Sequence, residues 1–259
     1  MLDSTLDSLF SKSIGIPCIV GGLFLIIAEI GYQMGLKKDQ SFNKETAVSE
    51  IVSYHSVVMG LLALLLGFTF SMALNHFDAR RALVLQEENS IGTTWLRTSF
   101  LPEGPRNASR KLLKQYLNLR IGEDQQGADL NTSLAHLSTV ENELWKQAEA
   151  ASLAAPNPIT ATYITSLNET FDLGATRVAM SKVHIPGALW LIILVVSSFG
   201  LWASGYNSGL SGRRIIYLTV GLPLLITLVL YLITDLNNPK RGFIRTDYNG
   251  MILLRDSMN

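Results

Sequence analysis

Val57–Asn75, VVMGLLALLLGFTFSMALN, followed without a break by His76–Arg97, HFDARRALVLQEENSIGTTWLR, is the stretch on which the rest of the chain is arranged. Its first half is apolar over the roughly 20 residues that a membrane-crossing helix needs. Its second half mixes paired charges with aliphatic residues. No proline occurs between Pro17 and Pro102 to break a helix. The expectation over Ile51–Leu101 is therefore one helix that leaves the membrane and continues into water. A membrane unit then packs on one half of it and a polar unit on the other.

Bulk composition agrees. Of 259 residues, 48% are hydrophobic and 16% charged, well under the roughly 25% charge of a soluble domain. Lys plus Arg and Asp plus Glu both number 21, and that balance excludes the basic excess that nucleic acid requires. Cys18 is the only cysteine, so neither an intrachain disulfide nor a cysteine-based zinc site is possible.

Outward from the central stretch, three more spans are expected. Ile14–Leu36 is the first, rich in glycine and carrying Glu29 near its far end. An ionisable residue in a span marks a functional candidate; proximity to Lys37 and Lys38 offers the alternative of a wet interfacial position. His184–Tyr206 is the third, with Trp190 and Trp202 as candidate interfacial anchors. Ile215–Thr234 is the fourth, containing Pro223, which membrane helices tolerate. Met1–Ser13 has helical spacing of Leu2, Leu6, Leu9 and Phe10 and reads as a surface helix or a frayed terminus. Lys37–Glu50 and Gly205–Arg214 read as polar loops.

Between spans two and three, apolar residues recur every three or four positions among charges, including Leu112, Leu113, Tyr116, Leu117, Leu137, Val140 and Leu144, the pattern of amphipathic helices. Breaks fall at Pro102–Pro105, at Gly122–Gly127 and at Ala155–Pro158, with Asp129 or Asn131 as a cap after the second. Three or four soluble helices are expected and no strand pattern competes. The fold class is all-α: an integral membrane protein with four transmembrane helices and a helical cytoplasmic domain inserted between the second and third. Its segments are 1–75, 76–184, 185–234 and a tail over 235–259. Lysine and arginine near the span ends favour the side of the termini and middle domain (Lys12, Arg80, Arg81, Lys182, Lys240, Arg241, Arg245) over the loop side (Lys37, Lys38, Lys44, Arg213, Arg214). That bias puts the termini and domain in the cytoplasm.

Enzymatic constellations are missing. His55, His76, His136 and His184 do not form a zinc-hydrolase pair, and no phosphate loop or nucleophile elbow occurs. No catalytic residue, metal or cofactor is expected. His76 and Asn75 lie where the second span meets water, where polar side chains are usual. Asp78 and Arg81 stand at pairing distance on one helix. Glu87 and Glu88 follow, on what reads as a solvated face. Gly60, Ala63, Gly67 and Ser71 form a small-residue stripe, which serves either close helix packing or the wall of a narrow pore.

The run Leu61–Pro102, with Ala28-Glu29-Ile30-Gly31 and Gly35 before a lysine pair and Asp235-Leu236-Asn237-Asn238-Pro239 through Gly242, resembles the bestrophin-like proteins of bacteria over essentially the whole chain. The resemblance marks Glu29 as a family feature. It extends to the bestrophin channels through the order of elements and the triplet Leu66-Gly67-Phe68. It implies a homopentameric ion channel of the bacterial inner membrane, with the second span around the axis and an anion preference. The implied neck positions are Gly60, Leu64 and Phe68, with Ser71 and Asn75 below them. Phe68 and Leu64 suit a gate that works by dewetting, whereas Gly60 departs from the bulky pattern. The acidic cluster of calcium-gated members is not matched, since Asn237 and Asn238 follow Asp235. The partners implied are the lipid bilayer, copies of the chain and small inorganic ions. Charge alone selects neither ion sign, because His76–His184 holds eleven basic and twelve acidic residues. The competing reading is a non-conducting membrane scaffold whose helical domain binds a partner. Glu29, His76, Asp78, Arg81 and Glu88 complete the candidate residues.

Overall fold

A computed structural model describes residues 15–37, 44–125, 130–214, 216–238, 244 and 247–258. Among these the secondary structure is helical throughout. In chain order the helices are α1 (Gly15–Leu36), α2 (Lys44–Arg97), α3 (Glu103–Gln125), α4 (Leu130–Ala154), α5 (Pro158–Ser181), α6 (Gly187–Leu210), α7 (Leu222–Asn237) and α8 (Asn249–Ser257). Four segments are long and apolar enough to cross a membrane: Cys18–Leu36, the Val52–Phe100 stretch that includes most of α2, Gly187–Leu210 and Thr219–Asn237. The chain divides into a membrane unit, Met1–Phe77 with His184–Ile244, and a polar unit, Asp78–Val183 with Arg245–Asn259.

α2 is one helix of 54 residues. It starts at Lys44, inside the segment expected as a loop, and tightens into a 3₁₀ turn over Thr98–Phe100 before Pro102, which disfavours helix in the residue preceding it. The break before α5 follows from its sequence. The Asn157 side chain accepts from Thr160 N–H at 2.9 Å, and Pro158 occupies the first helical turn, where its missing N–H costs nothing. α4 starts at Leu130, which puts Asn131 inside its first turn rather than at a cap. The proposed Met1–Ser13 helix and the Asp129 cap lie outside the described residues.

Two span boundaries shift. α6 starts after Pro186 and runs to Leu210, so the polar loop shrinks to Ser211–Arg214. The fourth span carries a π-helical turn at Tyr217–Gly221 directly before Pro223. Proline lacks an N–H and its ring crowds the carbonyl four residues back; one wide turn relieves that crowding.

The membrane unit is built on a close crossing of α1 and α6. A Cβ on Gly31 would overlap the Trp202 carbonyl oxygen, and one on Gly35 would overlap that of Tyr206. Reciprocally, Gly205 and Gly209 lie against the carbonyls of Ala28 and Tyr32. Each helix thus carries a Gly-x-x-x-Gly step, which brings backbones together where lipid supplies no hydrophobic drive. The contact pairs advance together along both helices, so α1 and α6 run parallel. Phe24, Leu62, Trp190, Ile193, Ile226 and Leu230 fill the core around them. Trp190 is fully buried there and is not an interfacial anchor; Trp202, half-buried, stacks on Tyr206 with centroids 5.4 Å apart.

At the end of α7, Asn237 Oδ1 accepts from Ile185 N–H at 3.1 Å and Asp235 Oδ2 from Ile244 N–H at 3.0 Å. These side chains satisfy backbone donors of the segments entering and leaving the bundle. In the polar unit, Val84 and Ile91 of α2 pack with Leu113, Tyr116 and Leu117 of α3, Val140 and Leu144 of α4, Tyr163 and Leu167 of α5, and Met251 of α8.

Candidate pore-lining face of the long helix

α2 has two faces along most of its length. Thr69, Ala73, Arg80, Val84, Glu87, Ile91 and Thr94 are buried, at steps of three, four or seven residues. That spacing keeps one stripe turned inward. The opposite stripe is exposed: Val57, Leu64, Ser71, Asp78 and Leu85 at sevens, and Leu61, Phe68, Asn75 and Leu96 beside them. Leu64 is 55% and Phe68 65% exposed. Nothing lies within 4 Å of where a Cβ would sit on Gly60 or Gly67. Among the described residues, then, these glycines serve no close helix packing. That job belongs to α1 and α6.

The structure therefore brings Gly60, Leu64, Phe68, Ser71 and Asn75 onto one open face of α2, and Asp78 and Arg81 continue it below. His76 and Glu88 are half-buried and off that face. Glu29 stands apart, on α1. Its carboxylate takes the Arg214 guanidinium at 2.6 and 2.7 Å and the Gln33 amide at 3.2 Å. Arg214 also lies 4.6 Å over the Tyr32 ring. Both charges are partly exposed, which fits a pair at the end of a span and supplies a partner other than the neighbouring lysines.

A charge network in the polar unit escapes the sequence reading. Glu87 is fully buried. Its Oε1 binds Arg120 Nε at 2.5 Å and accepts from the Tyr116 hydroxyl at 3.3 Å, while Oε2 binds Arg177 Nη1 at 2.8 Å. The Arg120 guanidinium also donates to the Gly174 carbonyl at 2.9 Å, and Arg177 to the Arg120 carbonyl at 3.2 Å. A side chain at position 174 would meet the Tyr116 hydroxyl within 2.6 Å, so the network needs glycine there. Burial pushes the Tyr116 phenol well above its usual range. Buried charges persist only when paired and hydrogen-bonded, and both arginines and the glutamate meet that condition. Arg177 extends the network to α8, lying 5.5 Å over the Tyr248 ring. The signal was present in the sequence: Arg120 falls in the stripe of Leu113, Tyr116 and Leu117, and Arg177 in that of Leu167, Thr170 and Gly174. A charge in an apolar stripe announces a buried partner.

Glu88, one residue on, faces α8. A Cβ on Gly250 would overlap its carboxylate. Burial first, and the negative charge of Asp247 second, raise its carboxyl above the ordinary 4.5.

The fold has solved counterparts. The crystal structure of a bacterial bestrophin homolog from Klebsiella pneumoniae superposes with a TM-score of 0.67 at 15% identity, covering 95% of this chain and 96% of that chain. A point mutant of that protein gives 0.68 at 14% identity, over 94% and 96%. A second gives 0.66 at 17%, over 97% of each. No curated protein matches the sequence. A model of the bestrophin-like domain matches residues 27–251, and with nearly the whole chain inside that match, the protein is a member of the Bestrophin-like family.

Proposed function

We propose that the chain is one subunit of an oligomeric ion channel whose pore is lined by the exposed face of α2. The observation that carries this reading is that face itself. An apolar strip with Leu64 and Phe68 one helical turn apart has no partner among the described residues, although the opposite face of the same helix is buried at intervals from Leu62 onward. Apolar patches of that kind mark protein–protein or membrane contact surfaces. Repeating the chain around an axis turns the strip inward, and a ring of Leu64 and Phe68 forms a constriction that gates by dewetting. Gly60 leaves the loop-side end wide, and Ser71 and Asn75 provide polar walls below the constriction. By the resemblance to bestrophin channels, the assembly is a homopentamer in a bacterial inner membrane, with the polar unit and termini cytoplasmic and a preference for anions. No catalysis is assigned to it.

Reconstitution into liposomes with separate chloride and potassium flux assays tests the proposal. Flux of at least one ion is expected, and chloride over potassium if the anion preference holds. Leu64→Ala and Phe68→Ala are expected to raise flux while the oligomer keeps its size. A folded oligomer that passes neither ion would leave the scaffold reading standing instead.

A further inference from the structure

A second polar feature lies inside the membrane unit, away from the open face of α2. Ser197, Ser204 and Ser208 of α6 are at least nine-tenths buried, and none of their hydroxyls has a hydrogen-bond partner among the described residues. Other membrane-unit hydroxyls behave differently. Thr69, Thr227 and Thr234 each donate to the carbonyl four residues back, at 2.7 to 2.8 Å, the usual way to satisfy such a group within a helix. The three serines turn away from that option, and at steps of seven and four residues they share one side of α6. Asn207 Oδ1 and His55 Nε2 are likewise buried without a partner.

Helix register puts these groups at one end. Met59 Sδ lies 2.9 Å from an ideal Cβ on Gly200. α1 and α2 are joined by a short connection and so cross in opposite directions, while α6 parallels α1; α2 is thus antiparallel to α6. One turn before Met59, His55 stands level with Ser204, one turn past Gly200. Ser208 and Asn207 lie toward the loop end, and Ser197 lies deeper. Eleven residues of helix from Ser208 to Ser197 rise about 16 Å, roughly half of a hydrocarbon core of about 30 Å.

An unpaired polar atom in such a place is costly. Water is the ligand that matches the chemistry: hydroxyls that donate and accept, an amide oxygen that accepts, and an imidazole nitrogen that does either. Buried waters typically make about three hydrogen bonds to otherwise unsatisfied groups. We propose that the serine row of α6, with His55 and Asn207, holds a file of water molecules that enters from the loop end and reaches the middle of the membrane unit. This inlet is separate from the proposed pore, and its failure or success does not depend on conduction.

The test is thiol accessibility in the full-length protein in lipid. In a Cys18→Ser background, Ser208→Cys, Ser204→Cys and Ser197→Cys are each exposed to a pulse of silver ion, a thiol-seeking cation close to water in size, and the remaining thiol is titrated. Leu191→Cys, on the exposed side of α6, is the lipid-facing control. All three serine positions are expected to react at least tenfold faster than the control, in the order 208, 204, 197. Rates at 204 and 197 no faster than the control overturn the proposal. Should a cysteine variant fail to fold, Ser204→Ala decides instead. Removing a hydroxyl that bonds a water of the file leaves that water short of a partner and lowers the thermal midpoint; an unchanged or raised midpoint means the row is dry and overturns the inlet.

Discussion

The two faces of α2 differ in what surrounds them. The inward stripe contains Thr69, Arg80, Glu87 and Thr94; the outward one contains Val57, Leu61, Leu64 and Phe68. The inward polar groups are held by specific partners: Glu87 by two arginines and a tyrosine, Arg80 by the Val183 carbonyl at 2.6 Å, and Thr94 by Thr170 at 3.0 Å. The outward apolar groups have no partner among the described residues. One face supports the fold of the chain, and the other is left open by it.

Substitutions that separate the faces come in a clear order of size. Glu87→Ala leaves two buried guanidinium groups without their counter-charge. It is expected to cost about 3–5 kcal/mol, the typical penalty for breaking a buried pair, measured by chemical unfolding in detergent. Gly31→Ala drives a methyl into the Trp202 carbonyl and is expected to cost about 1–3 kcal/mol, as overpacking does. Gly60→Ala is the same change on an open face. It is expected to stabilise by up to about 1 kcal/mol through helix propensity alone. A loss there instead would mean that the open glycines pack against another surface in the assembly. Leu64→Ala and Phe68→Ala are expected to stay within about 0.5 kcal/mol of the parent, as surface changes do, while altering flux. A large stability loss for either would mark it as a packing residue and count against the proposed pore face.

The smallest expected effect concerns pH. The Glu88 carboxyl is raised in the folded protein by burial and by Asp247. Its ionisation therefore works against the fold, and stability falls as pH rises from the ordinary carboxylate value near 4.5 upward. Glu88→Gln removes that dependence. The thermal midpoint of the variant minus that of the parent should grow between pH 4 and pH 7; a flat difference would mean that the carboxyl is solvated despite its contact with α8.

Glycine patterns show where sequence reading stops. Gly60, Ala63, Gly67 and Ser71 look like a packing motif by spacing, and so do Gly31 with Gly35 and Gly205 with Gly209. The same pattern meets carbonyls in α1 and α6 and open space in α2. Spacing specifies which residues share a helix face and says nothing about what that face meets.

The continuity of α2, the four spans and the breaks at Pro102–Pro105 and Ala155–Pro158 were legible in the chain because they depend on local chemistry: uninterrupted apolar runs and the placing of proline. The Glu29–Arg214 pair, the Glu87–Arg120–Arg177 network, the α1–α6 crossing and the unpaired serines of α6 required the folded subunit. Each joins residues far apart in sequence, and whether a charge is solvated or paired, or a glycine open or filled, is settled by the atoms that arrive from elsewhere.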